Sequence, residues 1–134
     1  MNIDIILPYR EIFSPDKASA VSLTVHNSLE YSEYKSKIAV FGQFTENSFK
    51  NINFKGIKTN KFFHLGKNRS ILINYFKLTK NFENNKRIIE IHNRPYIFNL
   101  ATKMEKNCPI CLHFHNDPRK MSGSKTVKER IFIA

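Results

Sequence analysis

No apolar stretch in this 134-residue chain approaches the ~18 residues that a membrane-spanning helix requires. The run nearest the start, Ile5-Ile6-Leu7 behind Asp4, is too short for a signal peptide and lacks its basic leader. Only two cysteines occur, Cys108 and Cys111, so a reducing cytoplasm is the expected address. There is no phosphate-binding G-x-x-x-x-G-K, no dinucleotide glycine fingerprint and no Ser-His-Asp order, which removes the commonest nucleotide-hydrolysing, dehydrogenase and serine-hydrolase signatures. Direct hydrolysis by paired carboxylates would have to rest on Glu11 with Asp117. Low-complexity linkers are absent as well, and the length suits one domain spanning residues 1–134.

What the chain does hold is apolar material and positive charge. Hydrophobic residues make up 41% and include 12 Phe, enough for a buried core rather than disorder. The net charge of +11 is uneven. Residues 1–34 carry Arg10 and Lys17 against five acids, a net of −3, so residues 35–134 carry +14. A field of that sign suits nucleic acid, an anionic membrane surface or a phosphorylated substrate, and a solvated lysine-rich exterior explains it equally well.

The hydrophobic pattern alternates between strand and helix. "IDIILP" reads as a strand covered on both faces. Asp16 is the expected N-cap of a helix in which Val21, Val25 and Leu29 recur at helical spacing through about Tyr31. "KIAVFG" is a strand expected to end at its glycine, residues 45–67 leave strand and loop both open, and "RSILINYFKLTKNF" reads as a helix. "RIIEIH" is a strand; Ile97, Leu100, Ala101 and Met104 then form one helical face. "PICLHFH" is a further strand, and "SKTVKERIFIA" reads as a last helix with Val127 and Ile131 one turn apart. The order predicts an α/β fold, a Rossmann-like doubly wound, mainly parallel sheet with helices on both faces.

Within that order one pattern repeats. "IIEIHNRPYIF" at residues 88–98 and "CLHFHNDPRKM" at 111–121 each write an apolar run and then His-Asn-x-Pro, 23 residues apart. Loops at the carboxyl ends of parallel strands line the crevice where ligands bind. The repeat would therefore set His92, Asn93 and Arg94 beside His115, Asn116 and Asp117 on one rim, facing Arg10, Glu11 and Ser14 after the first strand. Pro95 and Pro118 are expected only to open the following helical turns.

"LPYREIFSPDKASAVSL", "VFG", "EIHNRPYIF" and "LHFHNDPRKMSGSKTVKER" together resemble the amino-terminal domain of family 4 glycosyltransferases of the GT-B architecture, of the bacterial lipopolysaccharide and surface-polysaccharide type. The likeness runs along nearly the whole chain and is weakest over residues 45–85. It implies the acceptor-side half of a retaining enzyme that moves a sugar from a nucleotide-sugar to a lipopolysaccharide or other surface-glycan acceptor. The loop from Arg10 to Ser19 would approach donor phosphates and acceptor, and His115 is the best candidate for contact with the transferred sugar; no residue is firmly catalytic and no cofactor is implied. Relatives carry a glycine in that loop where this chain has Ser19, whose Cβ limits backbone approach to a phosphate. They also continue into a donor-binding domain, so the resemblance implies a truncated or split enzyme, inactive alone, with a separate donor-domain polypeptide as partner. It would act in the cytoplasm, peripheral on the inner face of the cell membrane.

Cys108-x-x-Cys111 with His113 and His115 offers four metal-ligand types, but on a strand Cys111, His113 and His115 share one face while Cys108 points away, so no metal site is expected. Residues 49–69 interleave Phe49, Phe54, Phe62 and Phe63 with six basic residues and no acid. Rings in a basic groove can hold single-stranded nucleic acid, and a binding module of that kind, or an anionic-surface module, is the alternative to the enzyme half. Rings in the core with lysines in water is the plainer reading, and no specific nucleic-acid binding is expected.

Overall fold

The computed structural model describes residues 1–59, 66–82 and 86–120, together with the backbone of 132–133. Strands β1 (Asn2–Ile6), β2 (Ile38–Gln43), β3 (Asn53–Ile57), β4 (Arg87–His92) and β5 (Ile110–His113) form one sheet in the order β3-β2-β1-β4-β5. Every pairing is parallel. A two-residue strand, β6 (Phe132–Ile133), runs parallel alongside β5. Helices α1 (Ala20–Glu30), α2 (Lys67–Leu78) and α3 (Pro95–Met104) complete a doubly wound, Rossmann-like α/β fold.

The sheet divides the core by strand alternation, since successive side chains point to opposite faces. On one face Ile6, Phe41, Ile89, Ile91, Ile110 and Leu112 pack with α2 and α3. On the other, Ile5, Leu7, Ile38 and Val40 pack with Val21, Val25 and Leu29 of α1 and with Phe13. The alternate positions of β4 and β5 break this pattern. They carry Glu90, His92, Cys111 and His113, polar or half-polar residues on the α1 face.

Several boundaries differ from expectation for local reasons. Ser19, not Asp16, caps α1 by accepting from the Ser22 N–H (3.2 Å). Asp16 instead accepts from the Asn47 amide, a partner remote in sequence. The second strand runs on past Gly42 to Gln43, and the fifth stops at His113, leaving His115 in the bend beyond it. Among the described residues of 45–67 there is one strand, β3. Pro95 opens α3 as its N-terminal turn, and Pro118 opens a 3₁₀ turn, Pro118–Lys120. The helix expected over "SKTVKERIFIA" lies outside the described residues as far as 131, and at Phe132–Ile133 the backbone is strand rather than helix.

Phe49 and Phe54 are half-buried against the α1-side core, with Phe13 stacked on Phe54 at 5.3 Å and edge-on to Phe49 at 4.9 Å. Those two rings are therefore committed to packing. Phe62 and Phe63 lie outside the described residues. Among the described residues no helix is long and apolar enough to cross a membrane.

Candidate functional site

The strand order reverses between β1 and β4, because β1, β2 and β3 step one way across the sheet while β4 and β5 step the other. At such a switch point the two outgoing loops diverge and leave a crevice at the carboxyl edge. The loop after β1 is held by side chains from neighbouring elements. Asn68 of α2 accepts from the Tyr9 N–H (2.7 Å), and Gln43 at the end of β2 accepts from the Arg10 N–H (3.2 Å). Arg10 itself has φ of 75° and is exposed. Across the switch point Asn93 has φ of 51°. Left-handed backbone at a non-glycine residue is uncommon and persists where surrounding contacts enforce it.

For Asn93 those contacts are explicit. Its N–H donates to the His113 carbonyl (2.9 Å) and its side-chain oxygen accepts from the His115 N–H (2.8 Å). The first Asn of the repeat is thus a buried clamp joining the β4 and β5 loops. The second, Asn116, is exposed. Arg94 is half-buried and donates to the Asn93 carbonyl (2.8 Å). Glu11 accepts from the Ser19 hydroxyl at the start of α1, where the helix dipole favours negative charge. Burial pushes the Glu11 carboxyl above its usual range, against the opposing pull of Arg94 and His92.

Of the other expected rim residues, Ser14 is buried, its hydroxyl facing the Asp16 N–H at 3.4 Å. Ser19 is occupied as cap and Glu11 partner. Asp117 is engaged by Arg119 through its guanidinium (2.9 Å) and its N–H (3.0 Å), which hold the carboxyl below its ordinary value. Arg10, Glu11 and Arg94 remain as the side chains with chemistry to offer at the edge, while His115 is engaged by His92 below it.

Beneath that edge, on the α1 face, three imidazoles stack. His92 and His113 are register partners on β4 and β5, and His115 follows two residues later on the same side. Ring centroids lie 4.6–4.9 Å apart, with interplanar angles of 12–27°. His92 Nδ1 is 2.7 Å from His115 Nε2. Glu90 Oε1 sits 2.7 Å from His92 Nε2 and 3.4 Å from His113 Nδ1. The His92 contact is short but outside the angular range of an N–H···O hydrogen bond, and that nitrogen is fully buried. Burial alone would raise the Glu90 carboxyl, but the two imidazoles outweigh it and hold it low. His115 is driven down to about 4, by burial first and by His92 and His113 next, so near neutral pH it is an uncharged imidazole.

A groove of about 210 Å³ runs between α1 and these strands, with Val25, Ser28 and Leu29 on one wall and His92, His113 and His115 on the other. A larger cavity of about 410 Å³ lies at the opposite, amino-terminal edge of the sheet, beside Asp4, Lys37, Lys86 and Arg87. Size favours the amino-terminal cavity. A perturbed carboxyl stands at each edge, Asp4 at one and Glu11 at the other, so the tethered loops at the switch point decide, and we take the carboxyl edge as the site.

Compared with protein-family models, with curated proteins and with solved structures, the chain matches none. The expectation of no metal site weighed Cys108, Cys111, His113 and His115; Cys108 does point away, into the α3-side core. That reasoning overlooked His92, 21 residues from His113 in sequence and opposite it in the sheet. Gln43, Asn68 and Glu90 were also missed. Each is a polar residue at or near the end of an ordinary strand or helix, and only the pairing of distant elements reveals its use.

Proposed function

We propose that this chain is the acceptor-side half of a retaining glycosyltransferase of GT-B, family 4 type, working on a lipopolysaccharide or other surface-glycan acceptor. The observation behind this reading is the switch-point edge, where Arg10, Glu11 and Arg94 stand on two loops with left-handed residues at Arg10 and Asn93. A sugar acceptor needs hydrogen-bond acceptors for its hydroxyls and cations for any phosphate it bears. Glu11 supplies the first and the two arginines the second. Because the Glu11 carboxylate already sits at the α1 N-terminus, that terminus is a poor place for a donor phosphate. This fits an acceptor wall better than a nucleotide wall.

Transfer would then require a second, donor-gripping domain, since positioning donor against acceptor can supply roughly 7–11 kcal/mol of the barrier. The nucleotide-sugar, that donor domain and an anionic membrane surface at the inner face of the cell membrane are the partners in this proposal. A nucleic-acid module is the weaker alternative, because Phe49 and Phe54, two of the rings it would use, are packed against Phe13. Calorimetric titration with phosphorylated core oligosaccharides tests the reading. Arg94→Ala and Glu11→Gln should each weaken binding at least tenfold while Lys37→Ala, at the far edge, leaves it unchanged. Equal loss from Lys37→Ala would count against the carboxyl-edge site.

A further inference from the structure

We propose that His92, His113 and His115 form a binding site for one divalent transition-metal ion of the zinc class, with Glu90 as the carboxylate that orients two of the three rings. The proposal is independent of the sugar reading. Each imidazole offers one nitrogen, and those nitrogens all lie within 4.8 Å of one another. Ligands of one tetrahedral zinc, at 2.0–2.1 Å each, would be about 3.4 Å apart. Reaching that spacing means turning the stacked rings out of parallel, drawing the farther nitrogens in and opening the 2.7 Å His92–His115 pair; His113 and His115 are half-buried and His92 is buried.

Three features argue that this is a prepared site rather than chance stacking. First, His92 Nδ1 and His115 Nε2 face each other at 2.7 Å. That is the spacing of an N–H···N hydrogen bond, so the two nitrogens already converge on one point; loss of the shared proton and a small opening of the pair, to about 3.4 Å, would let both turn to one ion. Second, His92 Nε2 is fully buried with no hydrogen-bond partner of acceptable geometry, although Glu90 Oε1 is 2.7 Å away. A carboxylate behind a histidine is the usual outer partner of a metal-bound imidazole, and a small turn of the half-buried Glu90 carboxylate would bring that contact into line. Third, the ligands stand on two hydrogen-bonded parallel strands and the turn clamped by Asn93, a rigid support of the kind metal sites need.

The chemistry of the set selects the ion. Nitrogen donors favour zinc, cobalt, nickel or copper over magnesium and calcium, which prefer oxygen. The cluster contains three histidines and no fourth side chain among the described residues. Three protein ligands with the 210 Å³ groove in front leave a position open to an exchangeable fourth ligand.

The experiment uses the full 134-residue chain, stripped with chelator and titrated with cobalt(II) while visible absorption is followed, then challenged with zinc. One equivalent should bind and be displaced by zinc, and zinc but not magnesium should raise the unfolding temperature until chelator is added. His113→Ala and His115→Ala should each weaken binding more than tenfold, and Glu90→Gln roughly 10–100-fold. Cys108→Ser/Cys111→Ser should bind as the parent does. Should either histidine variant fail to fold, zinc protection of the parent chain and the Glu90→Gln titration still decide the matter. Absence of saturable cobalt binding to the parent would overturn the proposal. Binding that survives both histidine substitutions, or that disappears with the cysteines, would do the same.

Discussion

Asp4 and Arg87 are both buried on the α2 side of the sheet, joined at 3.6 Å, with Glu105 3.8 Å from the same guanidinium. Tyr75 donates its hydroxyl to Asp4 (2.7 Å) across 71 residues of sequence. Breaking a buried hydrogen bond to a charged acceptor costs roughly 1.5–3 kcal/mol. Tyr75→Phe should therefore lower stability by about that amount in denaturant unfolding, while exposed Tyr96→Phe should change little. Burial raises the Asp4 carboxyl above its ordinary 3.8, more than Tyr75 and Arg87 pull it down. The folded state then holds this proton more tightly than the unfolded chain does. Its stabilising contribution is full below the unfolded value and fades as pH rises through the folded one. Unfolding measured from pH 3 upward in unit steps, set by that roughly 4-unit reference, should show a falling component that Asp4→Asn removes; an unchanged slope in the variant would refute this assignment.

At the scale of elements, α1 gives the clearest test. Ser19→Ala should cost about 0.5–2 kcal/mol as a lost N-cap, whereas Asp16→Ala should leave the helix largely intact. Thermal unfolding of the two variants separates them, and the reverse ranking would restore Asp16 as the cap. Both residues are good caps by type, and "SPDKAS" alone does not choose between them. The choice falls to Ser19 because the helix need only begin where Val21, Val25 and Leu29 can reach the sheet. The same contrast holds elsewhere. β4, α3 and β5 were readable because their apolar periods are strong and Pro95 marks a start. The use of Glu90 and the pairing of His92 with His113 were not, since register between strands is set by neighbours distant in sequence. The His-Asn repeat was legible as two loops on one edge. That Asn93 clamps while Asn116 stays exposed was not, because it depends on which loop lies inside the other.

For the whole molecule, the net charge of +11 acts at long range and without regard to sequence, so any binding it drives alone should fall steeply with salt and show no sequence preference. Ligand binding at the carboxyl edge should behave differently, because it relies on hydrogen bonds from tethered loops as well as on charge. On the proposed acceptor-half function, turnover with nucleotide-sugars and lipid-linked acceptors should require an added donor domain. The most direct test of the central claim is a backbone amide NMR titration of the full chain with phosphorylated lipopolysaccharide-core oligosaccharides. The account predicts shifts concentrated at residues 9–19, His92–Arg94 and His115–Asp117, the loops flanking the break in strand order. Shifts confined to the amino-terminal edge around Asn2, Lys37 and Lys86, or no saturable shifts at all, would contradict it.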